Sequence, residues 1–375
     1  MDLNNLILIF FLIGFSLFFY KYFLLILNKY NLKLLIDDEL EKPQAFHEFP
    51  ISTSGGIGIF FSFLILCLYL FLSKQIIYYE YLSFCTLFFI LGLMDDIKLN
   101  IRPKLRLILM IGLLIVLVIS NKFYVENTGI KFLNRFLEID IFALFFICLC
   151  FLFIINGSNL IDGHNGLLGI HALIILINLS FVNYFNGNNN LAFFIFCEIL
   201  IILVFLKYNF PKASLFLGDS GSYFLGIFIA ISTIKTSIAN PEISPFYFCI
   251  LLFYLFFEVF FSFIRKISIE KKSPLFPDNK HLHMLLYKIL VKKNNDKLKS
   301  NYYVSIVINL IYLILIIPSI FFMQNGLFCK YYSLIFFIIY IFSYKIASKT
   351  IGKKDNIYNL NNDYLKKKLL LFFLV

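Results

Sequence analysis

Tryptophan is absent from this 375-residue chain and charge is scarce: 15% of the residues are Asp, Glu, Lys or Arg, against 61% hydrophobic and 19% aromatic. The mean hydropathy is +0.87. Soluble domains carry about 25% charged and about 45–50% apolar residues, so a water-soluble globule is excluded and a polytopic membrane protein is implied. The abundance of Phe, Ile, Asn, Lys and Tyr beside the missing Trp reads as AT-rich coding bias, with no functional message. The seven cysteines form no CxxC pair and show no metal-ligand spacing, which makes them small core residues. Ten-residue segments of alternating polarity are lacking too, which argues against a β-barrel. The first apolar run, Asn5 to Leu27, has no small-residue cleavage site after it. It is long enough to span, and reads as a retained helix rather than a signal peptide.

Eleven apolar stretches approach or reach the length needed to cross a hydrocarbon core of ~30 Å. They lie near 5–27, 56–73, 77–94, 105–120, 139–155, 166–184, 191–206, 220–235, 246–264, 303–323 and 331–347, the third to fifth being the least clear as helices. The expected fold is an all-α integral membrane bundle of about 10–11 transmembrane helices. It forms a single unit over 1–350, with a basic tail over 351–375. Lys and Arg set the orientation: with the N-terminus outside, inside segments hold 25 of them and outside segments 6. The C-terminus is then cytoplasmic. The net charge of +11 collects in the 265–300 loop and the tail, where it serves topology and attraction to anionic membrane lipids rather than nucleic acid.

Five polar clusters fall on the cytoplasmic side in this topology: "EKPQAFHEFPISTSGGIGIF", "GLMDDIKLNIRPKLRL", "FIINGSNLIDGHNGLLGI", "LFLGDSGSYFLG" and "PDNKHLHMLLYKIL". The outside loops hold nothing comparable. A transporter would instead place charges near the bilayer midplane.

Asp95 and Asp96 end a run free of charge from Leu82 to Met94. Two adjacent carboxylates at a helix C-terminus are doubly unfavourable, and no capping role is evident for them from local sequence. Asp162 lies in a Gly-rich turn among Asn156, Asn159 and Asn165, and Asp219 lies between Gly218 and Gly221. Asp219 also reads as an N-cap. Such carboxylates and amide oxygens suit Mg²⁺ or Mn²⁺ rather than zinc. Lys98, Arg102, Lys104 and Arg106 flank the acid pair, and Lys104 or Arg106 is placed to meet a phosphate. His281 and His283 belong to an expected amphipathic helix capped by Asp278. Residues two apart on a helix diverge by about 200°, so both histidines act together only if the turn around them is extended. His47 precedes a Gly-rich helix entry at Gly55. Glu198 and Glu258 lie within apolar runs and should face the bundle interior; Glu258 is expected to pair with Arg265, and Glu198 has no evident partner.

Together the clusters resemble the polyprenyl-phosphate N-acetylhexosamine-1-phosphate transferase superfamily, over about residues 42–290. "GLMDDIKLNIRPKL" resembles its G-x-x-D-D…K-L segment, "NGSNLIDGHNGL" its N-x-x-N-x-x-D-G-x-[DN]-G-L turn, and "FLGDSGS" its F-x-G-D-x-G-S. The resemblance implies a bacterial inner-membrane enzyme that moves a sugar 1-phosphate from a UDP-sugar to undecaprenyl phosphate and releases UMP. It also implies a cytoplasmic active site and Mg²⁺ as cofactor, with Mn²⁺ as a substitute. Carried over by position, Asn159 and Asp219 are the metal candidates. Asp95, with Asp96 beside it, deprotonates or positions the lipid phosphate. Asp162 and Asn165 hold the nucleotide-sugar together with Asn156, Lys104 and His47, while His281 and His283 hold phosphates. Mg²⁺ brought by the diphosphate would supply the cation missing at Asp95-Asp96. Met284 replaces the last histidine of the family's H-x-H-H, the "PISTSGG" segment lacks a basic residue, and Asn165 replaces a second Asp. The last departure points to the polysaccharide-initiating branch rather than to the phospho-MurNAc-pentapeptide transferase of peptidoglycan synthesis. A transporter or flippase, an inactive scaffold of the same fold and a homodimeric assembly remain as alternatives.

Overall fold

The computed structural model describes residues 3–30, 35–37, 50–99, 101–271, 273 and 278–355. Every one of the eleven apolar stretches forms helix. In chain order the helices are α1 (Leu3–Tyr30), α2 (Gly55–Lys74), α3 (Tyr79–Asp96), α4 (Pro103–Asn121), the short α5 (Lys131–Leu137), α6 (Asp140–Ile161) and α7 (Leu167–Phe185). They continue with α8 (Asn189–Asn209), α9 (Gly218–Ala239), α10 (Pro245–Leu251), α11 (Phe253–Ile264), α12 (Leu282–Asn294), α13 (Lys297–Phe321) and α14 (Gly326–Asp355). Among the described residues nine helices are long and apolar enough to cross a bilayer, and α10 with α11 make a tenth span bent by 74°. The remaining stretch is α3, set apart by its acids Glu80, Asp95 and Asp96. The expectation of a polytopic all-α membrane protein therefore holds. One element was not expected: a two-stranded antiparallel ladder, β1 (Ile36–Asp37) with β2 (Ile51–Ser52), laid against the entry to α2.

The helix starts follow local chemistry. Proline occupies the first turn of α4 and of α10, where its missing N–H costs nothing. Asp296 caps α13 by accepting the Lys299 N–H at 2.9 Å. α9 is buried along almost its whole length and packs against α2, α3, α6 and α7, which makes it the axis of the bundle. Lipid tails are as apolar as leucine, so helices associate here through close packing of small residues rather than through burial from water. Gly92 shows how close: a Cβ on it would lie 2.3 Å from the Asp219 carbonyl oxygen of α9. A polar seam joins α7 to α13, where Asn301, Ser305 and Asn309 recur at helical spacing on a buried face. Asn309 donates to the Leu167 carbonyl at 3.1 Å, and its Oδ1 lies 3.0 Å from His171 Nδ1.

Candidate active site

The C-terminal ends of α3 and α6 meet the N-terminal ends of α2 and α9, and Glu258 from the middle of α11 meets the N-terminal end of α12, which brings the chemistry-bearing residues of the clusters together. The α2 entry is closed in forming it. The Gly55 and Gly56 N–H groups donate to the carbonyls of Phe216 and Leu217, both at 2.8 Å. That start is therefore committed to the segment leading into α9 rather than open to an anion. His47 lies outside the described residues.

Asp95 and Asp96 face different partners. Asp96 accepts the backbone N–H of Asp219 on Oδ1 at 2.8 Å and that of Ser220 on Oδ2 at 3.0 Å. It caps α9 from another helix, so the expectation that the pair has no capping role is corrected: its partner is remote in sequence. Gly218 makes room, with φ +78° and a hypothetical Cβ only 2.7 Å from the Asp96 carboxylate. Asp95 forms an ion pair with Arg106 of α4. The cation that the two acids require is thus the protein's own, an arginine and the positive end of α9, and Mg²⁺ is not needed to account for their placement.

Asp219 occupies the first turn of α9, with Leu217 rather than Asp219 as the N-cap. Its Oδ1 accepts the Asn159 amide at 2.7 Å and its Oδ2 stands 3.6 Å from Arg106 Nη1. Asn159 also donates to Ser222 Oγ at 3.0 Å. The Asp219 side chain is 37% exposed and Asp95 13%, so Asp219 is the acid open to a ligand. Among the described residues no three His, Cys, Asp or Glu side chains are grouped to hold a metal. Two ligands fit a Mg²⁺ that completes its shell with water and substrate phosphate. The 2.7 Å between the Asn159 amide nitrogen and Asp219 Oδ1 is a hydrogen bond, which leaves Asp219 Oδ2, beside Arg106, as the oxygen that can meet a ligand. Turning the Asn159 amide over would present its oxygen.

The α6–α7 turn is held from several sides. The Asn165 N–H donates to Asn301 Oδ1 at 2.7 Å, the Asn165 amide to the Pro211 carbonyl at 2.9 Å, and the Gly166 N–H to Asn209 Oδ1 at 2.7 Å. Asn165 is therefore an anchor of the turn, and its amide N–H is committed to protein. Asn156 donates back to the Leu152 carbonyl within α6. Asp162, at the end of α6, donates its N–H to the Asn159 carbonyl at 3.3 Å, and among the described residues its carboxylate has no hydrogen-bond or ion-pair partner. Burial first, then the Asp219 and Asp96 charges, push its pKa well above the usual carboxylate range. Lys104 is exposed on the first turn of α4, and of the two candidate cations it is Arg106 that reaches the acids.

The histidine pair sits at the start of α12. This helix begins at Leu282, not at Asp278 as expected, because Asp278 is drawn to Arg265 Nη2 at 2.9 Å and to Lys266 at 3.5 Å. His281 is the N-cap in an extended conformation (φ −73°, ψ 152°), and the two rings lie side by side, 5.6 Å apart and 9° from parallel. This is the extended turn that joint action requires. Glu258 of α11 organises both. Its Oε2 lies 3.1 Å from His281 Nδ1, its Oε1 accepts the Leu282 N–H at 3.1 Å, and His283 Nδ1 is 3.8 Å away. Glu258 does not pair with Arg265, as expected from spacing; Arg265 binds Glu270 at 2.7 Å and Asp278. Both histidines are buried, and burial lowers the pKa of His283. Glu198 is fully buried with neither oxygen hydrogen-bonded.

His164 was missed in the sequence. Its ring is edge-on to His283 at 5.6 Å and 5.3 Å from Tyr287, and burial, then the neighbouring His283, lowers its pKa strongly. Asn209 and Asn301 were missed as well, although polar residues spaced by four in an apolar run, as at Asn301, Ser305 and Asn309, were a signal available to be read.

Comparison with known proteins places this geometry. Residues 78–237, which include Asp95, Asp96, Asp162 and Asp219, match the model of glycosyl transferase family 4. The chain is 29% identical over 247 residues to the undecaprenyl-phosphate alpha-N-acetylglucosaminyl 1-phosphate transferase of Thermotoga maritima, covering 65% of this chain and 71% of that protein. It is 25% identical over 249 residues to the Escherichia coli K12 protein of the same name, covering 64% and 66%. It is 33% identical over 151 residues to the phospho-N-acetylmuramoyl-pentapeptide-transferase of Clostridium novyi, covering 37% and 46%. The resemblance to the polyprenyl-phosphate N-acetylhexosamine-1-phosphate transferase superfamily is borne out.

Proposed function

We propose that this protein transfers a sugar 1-phosphate, an N-acetylhexosamine 1-phosphate, from a UDP-sugar to undecaprenyl phosphate, as the first membrane step of cell-surface polysaccharide assembly. One observation carries the reading: acids from three separate helices, Asp95, Asp162 and Asp219, converge near Arg106 at one end of a membrane bundle with relatives named for this transfer. The longer match to the N-acetylglucosaminyl transferases favours that branch over the pentapeptide transferase.

An oxygen of the lipid phosphate attacks the sugar-side phosphorus of the diphosphate. The new P–O bond forms as the bond to the bridging oxygen breaks, and UMP departs with that electron pair. Protein groups act mainly by positioning and by offsetting charge. Asp95 orients the lipid phosphate and takes its proton where one is present. Asp96 fixes the start of α9 and so aims Asp219. Asp162, drawn toward its protonated form by burial, donates a hydrogen bond to an incoming phosphate oxygen. His281 and His283, steered by Glu258, face phosphate oxygens. Asn159 and Asp219 would hold Mg²⁺, which would supply positive charge to offset that of the diphosphate. The 25 to 6 distribution of Lys and Arg supports a cytoplasmic site in the bacterial inner membrane, with the N-terminus outside.

Incubating the purified protein with undecaprenyl phosphate, Mg²⁺ and a panel of UDP-sugars tests the proposal. It requires UMP and a lipid-linked sugar to appear together; release of UMP without lipid product, or no release with any sugar, rejects it.

A further inference from the structure

Arg106 stands where a divalent cation would be expected. Its Nη1 pairs with Asp95 Oδ2 and lies 3.6 Å from Asp219 Oδ2, so one guanidinium nitrogen bridges acids carried by α3 and α9. The guanidinium carbon is 5.9 Å from the Tyr223 ring centroid, which supports the side chain from below. The other groups nearby are committed. Asp96 gives both oxygens to the α9 N-terminus, and Asp219 Oδ1 is occupied by Asn159. The Arg106 side chain is 28% exposed and springs from the first turns of α4, so it can leave its place without unpacking a helix.

We propose that Arg106 is a resident cation: it holds Asp95 and Asp219 in the substrate-free protein, and a divalent cation binds there only as Arg106 moves away to an incoming phosphate. Asp219 Oδ2 cannot serve both at once, because a doubly charged ion on that carboxylate would sit within a few ångströms of the guanidinium, and like charges at that range repel strongly. A diphosphate removes the conflict. Its oxygens accept the planar donor fork of arginine, so the substrate that brings the metal also offers Arg106 its new partner. The empty site is thereby kept near charge balance, and metal uptake is coupled to substrate. This rests on the transferase reading above.

Mn²⁺ serves as the probe, followed by its paramagnetic resonance signal in titrations of the purified full-length protein without nucleotide-sugar. Arg106→Gln, and Arg106→Met as a second variant in case the first does not fold, should bind Mn²⁺ about tenfold or more tightly than the wild type. Arg106→Lys, which keeps the charge, should stay within about threefold of it. Arg102→Gln removes an exposed cation from the α4 N-cap and should also change little, since exposed charges are screened. Unchanged affinity in both neutral variants overturns the proposal, as does equal tightening in Arg102→Gln, which would mark a general field effect. Tightening in the neutral variants, together with no UMP release by the wild type from any UDP-sugar, would remove the transferase reading and leave the cation exchange standing.

Discussion

Asp96 Oδ2 accepts the backbone N–H of Ser220 at 3.0 Å, across 124 residues of sequence, while its Oδ1 accepts that of Asp219. The end of one helix is thereby the cap of another, and the acid exposed to ligand, Asp219, sits in the turn so capped. Asp96→Ala should cost about 1–2 kcal/mol of stability, the usual worth of a lost N-cap. Thermal unfolding in detergent measures it. An unchanged midpoint would show that α9 starts without this cap.

Glu258 repeats the device at α12, accepting the Leu282 N–H while orienting His281. Glu258→Gln keeps an acceptor for the helix start but removes the charge that holds the imidazoles. Its stability should fall by about 1–3 kcal/mol, the cost of disturbing a buried charged hydrogen bond. The midpoint of denaturation reads this, and a loss smaller in Glu258→Ala than in Glu258→Gln would contradict the assignment.

His164 and His283 are buried, and burial holds both pKa values below that of a free imidazole. Unfolded, each takes a proton near pH ~6.5. The stability gained by keeping them neutral is full above that pH and is lost as pH falls below it toward the folded pKa. The melting temperature should therefore drop between about pH 6.5 and 5, and His164→Asn should drop less steeply. Equal slopes for wild type and variant would exclude His164 as a source of the effect. Glu258 and Asp278 face His281 and His283 from the other side and do not reverse the direction given for His283.

Gly92 allows α3 to approach α9 at the depth of the acid pair, and a methyl group there would meet the Asp219 carbonyl carbon at 2.5 Å. Backbone cannot yield as a flexible side chain does. Gly92→Ala should cost about 1–3 kcal/mol or more and displace Asp219 from Asp96, lowering both melting temperature and activity. Wild-type behaviour in this variant would mean that the α3–α9 crossing is looser than described.

The helices were legible because hydrophobic runs are local signals, and even the stretches least clear as helices, which became α3, α4 and α6, lie within helix. The acids and histidines were legible as candidates because charge in an apolar chain is costly. Their partners were not. Asp96 meets Ser220, Asn159 meets Asp219 across 60 residues and Asn165 meets Asn301 across 136, and spacing along one helix carries no information about such pairs. The misplaced start of α12 has a related origin: Asp278 looked like a helix cap, but its Oδ1 closes only a local turn with the Lys280 N–H while its Oδ2 is taken by Arg265, from a different element.

The central claim is phosphoryl transfer at the sugar-side phosphorus, and a double-labelled donor tests it most directly. UDP-N-acetylglucosamine carrying distinguishable isotopes on its two phosphates is incubated with the protein, undecaprenyl phosphate and Mg²⁺, with Asp219→Asn in parallel. The sugar-side label should appear in the lipid and the nucleoside-side label in UMP, with the variant slowed by about 10²-fold or more. Both labels leaving together in UDP would contradict it, while normal turnover by Asp219→Asn would contradict the role given to Asp219.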